Sequence, residues 1–354
     1  MNKPKNVLIT GHNGYVGSVM AARFAKAGHI VLGLDTEYYS QCTLNQNEEG
    51  PTSILKDIRD VEPRDLEGVD AIVHLAALSN DPIGNLNDAW TEDINFRASV
   101  RLAEAAKAAG VSRFLFSSSC IMYGMSETAV VNENSPLDPR TTYARSKVEA
   151  ERAIAKLADE RFSPTFLRNG TIYGLSPRMR FDTVLNNLMG AAVTSGVVTV
   201  HSDGQPWRPV VHVEDVARAF LTVLDAPRQV VHNQAFNVGA AEMNQQIIRL
   251  AEITASIVPN CKLQVKPDPG ADQRTYKTDF TKFAVTFPAF SFAYSPLSGA
   301  RQLYQALKGI RLTAEEFADK RFTRLKWLQY LLESGRVNGS LRWAEVAVST
   351  GARL

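Results

Sequence analysis

A glycine-rich turn near the N-terminus constrains the fold of this chain more than any other feature. Its glycines, Gly11, Gly14 and Gly17, follow an apolar run at Asn6–Thr10 and lead into a helical pattern over residues 15–27. Glycines at this spacing permit a tight turn from strand to helix, and the helix N-terminus then offers unpaired N–H groups to a phosphate. Strand, glycine loop and helix in this order predict the first unit of a parallel sheet that binds a dinucleotide.

Short apolar runs alternate with helical patterns through the first half of the sequence. Strand-like runs are found at Ile30–Asp35 and at residues 71–75, 114–116 and 165–167, and helical patterns at residues 96–109 and 143–158. Such alternation predicts a parallel sheet with helices on both faces. We therefore expect an α/β fold: a Rossmann-type doubly wound parallel sheet with a smaller mixed α/β substrate-binding domain.

The alternation is less regular after residue 174. Helical patterns cover residues 181–193, 213–224 and 243–257, and a strand-like run covers Val197–Val200. These patterns predict a dinucleotide-binding Rossmann domain at residues 1–170 with a returning segment around 208–238, an interleaved substrate-binding domain at 171–310, and a helical C-terminal tail at 311–354. Trp327 and Trp343 are expected to dock this tail on the body rather than to contact a ligand.

Composition excludes several classes of partner. The 39 basic and 37 acidic residues leave a net charge of +2, which gives no reason to expect nucleic acid or an anionic membrane. No apolar run reaches the ~18 residues of a membrane span, so we expect no membrane partner and a cytoplasmic location. The widely spaced Cys42, Cys120 and Cys261 fit a reducing compartment, and no histidine spacing indicates a metal site.

A carboxylate at the end of the second predicted strand adds to the dinucleotide site. Asp35 is placed to accept hydrogen bonds from the adenosine ribose hydroxyls and would repel a 2′-phosphate, which favours NAD over NADP. The alternative is a solvated strand-end aspartate. Further cofactor contacts are expected from the glycine loop and from later strand ends, namely Asn13, Tyr15, Val16, Asp57, Ile58, Leu75, Ala76 and Ala77.

Tyr143 and Lys147 form a candidate catalytic pair. Residues four apart on a helix share one face, and a nearby ammonium lowers the pKa of a phenol. A phenolate near working pH can remove the proton of a sugar hydroxyl while a hydride leaves the same carbon. The pair alone often means a solvated lysine beside a half-buried tyrosine. Its place after the glycine loop, Asp35 and the serine run at residues 117–119 favours catalysis.

Together these residues resemble the extended short-chain dehydrogenase/reductases, and within them the nucleotide-sugar epimerases and dehydratases. The matching motifs run in family order over roughly residues 5–285 and include the glycine loop, Asp35, Asp57-Ile58, His74-Leu75-Ala76-Ala77, Asn95, Ser117-Ser118-Ser119, Tyr123-Gly124, Tyr143-x-x-x-Lys147, Tyr173-Gly174, Arg208 and Phe236-Asn237-Val238-Gly239. The resemblance implies that Tyr143 is the acid/base, that Ser119 hydrogen-bonds the reacting oxygen, and that Lys147 holds the nicotinamide ribose. It also implies a cofactor contact from Asn95.

The resemblance further implies a site for a nucleotide-diphosphate sugar. Arg208 corresponds to the arginine that grips the substrate diphosphate, and Arg274 stands near Pro269-Gly270-Ala271-Asp272, where the family's usual arginine is missing. Arg178 and Arg180 are expected either to close over the same diphosphate or to lie in a solvated loop. The remaining predicted substrate contacts are Ser79, Ser119, Cys120 and Asn169.

Two departures from the family pattern narrow the expected reaction. Dehydratases carry an Asp-Glu pair directly after the catalytic residue, where this chain has Cys120 and Ile121, and an apolar residue cannot transfer protons. The 3,5-epimerase/4-reductase branch has a similar cysteine but also a histidine after Tyr-Gly, where this chain has Leu175-Ser176. We expect an NAD-dependent C4 epimerase working through a 4-keto intermediate. The alternatives are a 4-ketosugar reductase or dehydrogenase, and a non-catalytic NAD-sensing protein.

The resemblance also implies a homodimer in which two helices pair across a two-fold axis. Their apolar stripes are formed by Phe96, Val100 and Ala103 on one helix and by Ala150, Ile154 and Leu157 on the other. The alternative is that both stripes pack on the protein's own sheet.

Overall fold

A computed structural model describes residues 3–44, 51–125, 130–268 and 274–344. Its strands are β1 Asn6–Thr10, β2 Ile30–Asp35, β3 Thr52–Leu55, β4 Ala71–His74, β5 Arg113–Ser119, β6 Val130–Val131, β7 Ser163–Asn169, β8 Thr171–Tyr173, β9 Val197–Val200, β10 Trp207–His212, β11 Gln234–Val238, β12 Asn244–Gln246, β13 Lys262–Val265 and β14 Lys277–Thr278.

The helices are α1 Tyr15–Lys26, α2 Asp81–Gly84, α3 Asp88–Thr91, α4 Ser99–Ala108, α5 Thr142–Ala155, α6 Val184–Ser195, α7 Val213–Asp225, α8 Arg228–Val231, α9 Ile247–Ile257, α10 Thr281–Thr286, α11 Pro296–Gly309, α12 Ala314–Ala318 and α13 Arg324–Glu333. A π-helical segment, Glu92–Ala98, runs directly into α4. Among the helices described, none is long and apolar enough to cross a membrane.

The central layer is a seven-stranded sheet in the order β11-β7-β5-β4-β1-β2-β3, and every neighbouring pair in it is parallel. This confirms the predicted doubly wound Rossmann-type fold. The chain builds one side of the sheet from β1 outward to β3 and then returns through β4 to build the other side. The order reverses beside β1, and ligands of such sheets bind at that point, outside the carboxyl ends of the strands.

Side chains alternate between the two faces of the central strands, and each face has its own apolar core. Along β1, Val7 and Ile9 belong to the core beneath α1 and α7, whereas Leu8 belongs to the core beneath α4, α5 and α13. Phe24 of α1 and Phe220 of α7 are fully buried in the first core, and Ile154 of α5 lies in the second. The apolar faces of the helices and the alternating apolar side chains of the strands therefore meet in the same two cores.

A smaller mixed part follows the sheet. Strand β10 pairs with β8 in parallel and with β12 in antiparallel orientation, and β9 pairs with β13. Helices α6, α9 and α11 pack on one another beside these strands. Strand β11 returns to the central sheet by pairing with β7.

Some predicted boundaries are wrong, for reasons that tertiary contacts explain. The helix predicted from residue 243 begins at Ile247, because Asn244–Gln246 pairs with the edge of β10. The helix predicted from residue 181 begins at Val184, because the Phe181 N–H donates instead to the Phe322 carbonyl, 2.8 Å away. The helix predicted from residue 143 ends at Ala155, three residues early.

Trp327 and Trp343 dock the C-terminal tail on the turn that follows β2. Trp327 of α13 is buried, and its Nε1 donates to the Tyr38 carbonyl over 2.6 Å. The Nε1 of Trp343 donates to the Thr36 carbonyl over 2.6 Å. Both acceptors lie in the turn that follows β2.

Candidate active site

The glycine loop lies where the ends of β1 and β4 meet. Gly11 has a φ of +73°, and a Cβ there would lie 2.8 Å from the backbone nitrogen of Ala76. A Cβ on Gly17 would overlap the carbonyl oxygen of Gly11. The N-cap of α1 is Gly14, which has no side chain to bond the first N–H groups of the helix. Those groups remain available to an anion, so the loop fits the pyrophosphate of a dinucleotide.

Two carboxylates face this loop from the end of β2. Asp35 accepts hydrogen bonds from the N–H groups of Asn13 and Glu37, at 3.0 and 2.8 Å, and burial raises its pKa. Glu37 adopts a left-handed backbone with φ of 61° and accepts a hydrogen bond from the Asn13 side chain. The sequence analysis missed Glu37, although its spacing of two residues from Asp35 placed it close by. A ribose diol fits this acceptor-rich edge, and a 2′-phosphate does not.

Tyr143 and Lys147 project from the first turns of α5. Thr141 caps this helix, since its hydroxyl accepts from the Ala144 N–H over 3.1 Å. The Lys147 Nζ donates to the Ser117 carbonyl over 2.9 Å and lies 5.9 Å from the centre of the Tyr143 ring. Among the described residues, the Tyr143 hydroxyl has no hydrogen-bond partner, so it is available to a substrate hydroxyl.

The charges around the pair differ from the expectation. Burial raises the pKa of Tyr143, the Asp81 carboxylate raises it further, and the Arg180 guanidinium opposes them. Burial lowers the pKa of Lys147 to about 8, while Glu151 acts in the opposite direction. Burial thus outweighs the opposing charge of Arg180 in the protein alone, and the lowering of the Tyr143 pKa by Lys147 stays a prediction.

The serine run ends β5 beside the catalytic pair. Ser119 is partly exposed, and its hydroxyl accepts from the Ile121 N–H over 3.3 Å. Asn169 lies opposite Ser119 in the β5–β7 register, and its amide donates to the Ser117 hydroxyl and the Ser118 carbonyl, each over 3.2 Å. Asn169 is buried and its amide nitrogen supports the serines, while its substrate contact stays a prediction.

Cys120 is a buried core residue and not a substrate contact. It has no exposed surface, and its Sγ donates to the Arg168 carbonyl over 3.2 Å. Burial raises the pKa of this thiol to about 12, so it stays protonated at neutral pH. The position after Ser119 therefore offers no acid or base, and Ile121 offers none either.

Arg178 and Arg180 bridge the cofactor cleft. Arg178 donates through Nε to the Asn13 side chain over 2.6 Å, which places it at the glycine loop. Arg180 is buried, is paired with Asp182 at 2.5 Å and donates to the Ser79 hydroxyl over 3.2 Å. Its Nη2 is buried and has no hydrogen-bond partner in the described part of the chain. Arg178 thus reaches the glycine loop, whereas Arg180 reaches Ser79, a predicted substrate contact.

Arg208 and Arg274 are the other two arginines of the predicted substrate site. Arg208 is nearly buried in β10, with its guanidinium 5.8 Å from the centre of the Tyr276 ring. Arg274 pairs with Asp81 at 2.6 Å, and Asp81 also accepts from the Thr141 hydroxyl over 2.5 Å. This chain of contacts connects Arg274 to the N-cap of the catalytic helix. The Pro269-Gly270-Ala271-Asp272 motif lies outside the described residues.

Asn95, another predicted cofactor residue, holds a stretch of backbone in place. Asn95 is fully buried, and its side chain bonds both the N–H and the carbonyl of Leu78, at 2.8 and 3.0 Å. It fixes the segment after β4 and does not reach a ligand itself. His74, absent from the predicted site, is held between the hydroxyls of Thr10 and Ser99 at 2.7 and 2.8 Å.

The remaining predicted residues lie at the strand ends as expected. Leu75 and Ala77 flank Ala76, whose N–H donates to the Thr10 hydroxyl over 3.4 Å. Tyr15 and Val16 open α1, and the Tyr15 hydroxyl donates to the Gly174 carbonyl over 2.7 Å. Asp57 and Ile58 follow β3, where Asp57 pairs with Arg59 at 2.7 Å. Within the described residues, no group of three or more histidine, cysteine or carboxylate side chains could hold a metal ion.

Comparisons with known proteins agree with this geometry. The UDP-glucose 4-epimerase of Corynebacterium glutamicum is 26% identical over 289 residues, covering 76% of this chain and 85% of that protein. The dTDP-D-glucose 4,6-dehydratase of Mus musculus is 23% identical over 276 residues, covering 71% and 74%. The structure of MoeE5 in complex with UDP-glucose and NAD is similar at a TM-score of 0.73 and 25% identity, covering 86% of this chain and 99% of that one.

One further structure supports the fold alone. The UDP-glucose 4-epimerase of Thermotoga maritima, solved with UDP-glucose, has a TM-score of 0.76 at 24% identity over 86% of this chain. Residues 7–239 match the model of the family described as the NAD dependent epimerase/dehydratase family. The chain therefore belongs to this family of nucleotide-sugar enzymes, within the extended short-chain dehydrogenase/reductases, and uses NAD as its cofactor.

Proposed function

We propose that this protein inverts C4 of a nucleotide-diphosphate sugar through a transient 4-keto sugar. The observation that carries the proposal is the Tyr143 hydroxyl, which has no hydrogen-bond partner among the described residues, beside Lys147, whose Nζ lies 5.9 Å from the centre of the Tyr143 ring. Similarity to UDP-glucose 4-epimerases supports the same reaction. Cys120 and Ile121 supply no second acid or base, which disfavours 4,6-dehydration.

We assign binding of the substrate diphosphate to Arg208 and Arg274. A guanidinium can donate two parallel hydrogen bonds to phosphate oxygens, which suits Arg208 to the diphosphate. Arg274 pairs with Asp81, which also accepts a hydrogen bond from Thr141 at the N-terminus of α5. This arrangement orients the sugar toward Tyr143 and leaves the nucleoside beyond Arg208.

The cofactor is assigned to the glycine loop, with Asp35 and Glu37 at its adenosine ribose and Lys147 at its nicotinamide ribose. Bound NAD supplies a hydride acceptor and donor for C4. Tyr143 takes the proton of the C4 hydroxyl during oxidation and returns it during reduction, while Ser119 donates a hydrogen bond to the same oxygen. Because burial raises the Tyr143 pKa, the phenolate requires additional positive charge, which an oxidised nicotinamide would provide.

We also propose the division into a cofactor domain at residues 1–170, with a returning segment around 208–238, and an interleaved substrate domain at 171–310. The pairing of β11 with β7 supports the return. The tail from residue 311 is a third part that contacts both domains: its tryptophans bond the turn after β2, and Arg324 donates to the Arg178 carbonyl over 2.7 Å.

The test is product formation without added cofactor. The protein as purified is incubated with a panel of UDP- and dTDP-hexoses, and the products are identified by NMR while absorbance reports NADH. The proposal expects one substrate to reach an equilibrium of two C4 epimers without accumulation of NADH. Accumulation of a 4-keto product with stoichiometric NADH would contradict it in favour of a dehydrogenase. The Tyr143→Phe variant, which lacks the proposed acid/base hydroxyl, is the negative control and should form no epimer.

A further inference from the structure

The C-terminal segment at residues 335–344 crosses the turns that follow β2 and β3. The Leu341 carbonyl accepts hydrogen bonds from the Tyr38 hydroxyl and, over 2.5 Å, from Nη2 of Arg59. The Ser340 carbonyl accepts from Nη1 of the same arginine over 2.7 Å. Trp90 donates to the Gly339 carbonyl over 2.8 Å. Several independent side chains of the cofactor domain thus hold this segment in place.

Its last described residues contact the same turns through their side chains. Arg342 pairs with Asp57 at 3.2 Å and donates through Nη2 to Asp60 over 3.0 Å. The indole N–H of Trp343 bonds the Thr36 carbonyl, and its ring lies edge-on to Tyr38 with centroids 5.3 Å apart. The indole nevertheless remains 41% exposed. A large aromatic side chain is therefore fixed at one edge while much of its surface is uncovered.

The position of this indole coincides with the adenosine end of the cofactor site. Thr36 directly follows Asp35, the carboxylate that faces the glycine loop. Asp57 lies two residues after the end of β3, the strand that pairs with β2 on its outer side. In sheets of this topology the adenosine half of a dinucleotide lies over the ends of these strands. An exposed indole there can provide an apolar surface on which a base stacks.

We propose that Trp343 forms one wall of the adenosine site and that the C-terminal segment retains NAD by its adenosine half. The contacts of Leu341 and Arg342 hold the wall in position. The solved structure of MoeE5 is matched over 99% of its length by only 86% of this chain, so this chain carries additional residues. The inference rests on NAD binding and not on C4 epimerisation, so either can fail without the other.

Slow release of the cofactor is the expected consequence. Protein loaded with NAD is mixed with an excess of deuterated NAD, and exchange of the bound cofactor is followed by mass spectrometry. Trp343→Ala should exchange NAD faster than wild type, and Trp343→Phe should retain most of the protection. Lys326→Ala, an exposed change on α13, is the matched control and should behave as wild type.

Affinities for ADP-ribose and for nicotinamide mononucleotide show which half of the cofactor Trp343 contacts. With cofactor-free protein, Trp343→Ala should bind ADP-ribose roughly 5- to 150-fold more weakly, the range expected for loss of one base–aromatic stack. Binding of nicotinamide mononucleotide and of UDP should be unchanged. Arg342→Ala, which leaves the indole in place but loosens its support, should shift exchange in the same direction.

Two results would overturn the proposal. One is an unchanged exchange rate and ADP-ribose affinity in both Trp343→Ala and Arg342→Ala. The other is an equal loss of affinity for ADP-ribose, nicotinamide mononucleotide and UDP together with a lower unfolding temperature, because the segment would then serve the fold alone. If Trp343→Ala does not fold, Trp343→Phe and Arg342→Ala decide between the same outcomes.

Discussion

At the scale of single residues, Tyr143 combines a hydroxyl that no described residue hydrogen-bonds with a pKa raised by its surroundings. Asp81 contributes to that rise and is itself held by Arg274 and Thr141. The catalytic phenol is therefore neutral in the resting protein. In the proposed reaction we expect positive charge from Lys147, Arg180 and the oxidised cofactor to activate it.

Replacing Tyr143 by phenylalanine should remove most turnover while NAD binding persists. The hydroxyl carries the proton transfer, and general acid–base catalysis contributes roughly 10²- to 10⁴-fold. Steady-state rates and NAD affinity measured on the same preparation test this expectation. A variant that keeps nearly the wild-type rate would remove Tyr143 from the acid/base role.

Asp35 and Glu37 should together set the preference for NAD over NADP. Asp35→Ala is expected to weaken NAD binding and relax discrimination against the 2′-phosphate, and Glu37→Gln should relax discrimination with a smaller loss of NAD affinity. Asp35 also accepts two backbone hydrogen bonds, whereas Glu37 accepts from the side chains of Asn13 and Ser53. Titration of each variant with both cofactors measures the ratio. An unchanged ratio in both variants would place the ribose elsewhere.

At the scale of secondary structure, the sequence was sufficient wherever local pattern decides the outcome. Alternating apolar runs placed Asp35 and Ser119 at strand ends, and the parallel sheet then brought those ends together. Local pattern could not show that Arg178 reaches Asn13 or that Cys120 is buried, because both follow from how distant segments pack. Glu37 was missed because a left-handed turn, not a strand, directs its side chain.

Two buried histidines should make the fold sensitive to acid. Burial lowers the pKa of His74 to about 3 and that of His212 to about 4, from 6.5. As pH falls from about 6.5 to about 4, the unfolded chain binds protons that the folded chain excludes, so the free energy of unfolding decreases. With two such groups, the slope of the free energy of unfolding against pH approaches ~2.7 kcal/mol per pH unit.

Urea unfolding at several pH values measures this slope. His212→Gln should lower this slope by about half, because one of the two protons taken up on unfolding is lost. His201→Gln changes an exposed histidine and should leave the slope unchanged. A slope that is the same in His212→Gln and wild type would show that His212 does not contribute.

At the scale of the whole molecule, the expected dimer surface needs correction. Ala103, Ala150 and Ile154 are fully buried within the chain, so half of the predicted stripes pack on the protein's own sheet. Phe96 and Val100 remain partly exposed. We retain the homodimer as a proposal, with these two residues at its centre.

Light scattering at micromolar concentration should give a mass of about twice 39.0 kDa. Val100→Glu should yield the monomer, because a charge in an apolar contact is costly to bury. Arg152→Glu, an exposed change on α5, is the control for altered charge. A wild-type mass of one chain would rule the dimer out.

The path of the C4 hydrogen tests the central claim most directly. A nucleotide hexose that the protein accepts is synthesised with deuterium at C4 and incubated with the purified protein without added NAD. The account predicts that the C4 epimer forms with deuterium still at C4, because the hydride leaves and returns within one site. Deuterium found in released NADH beside a 4-keto sugar, or exchanged into water, would contradict it.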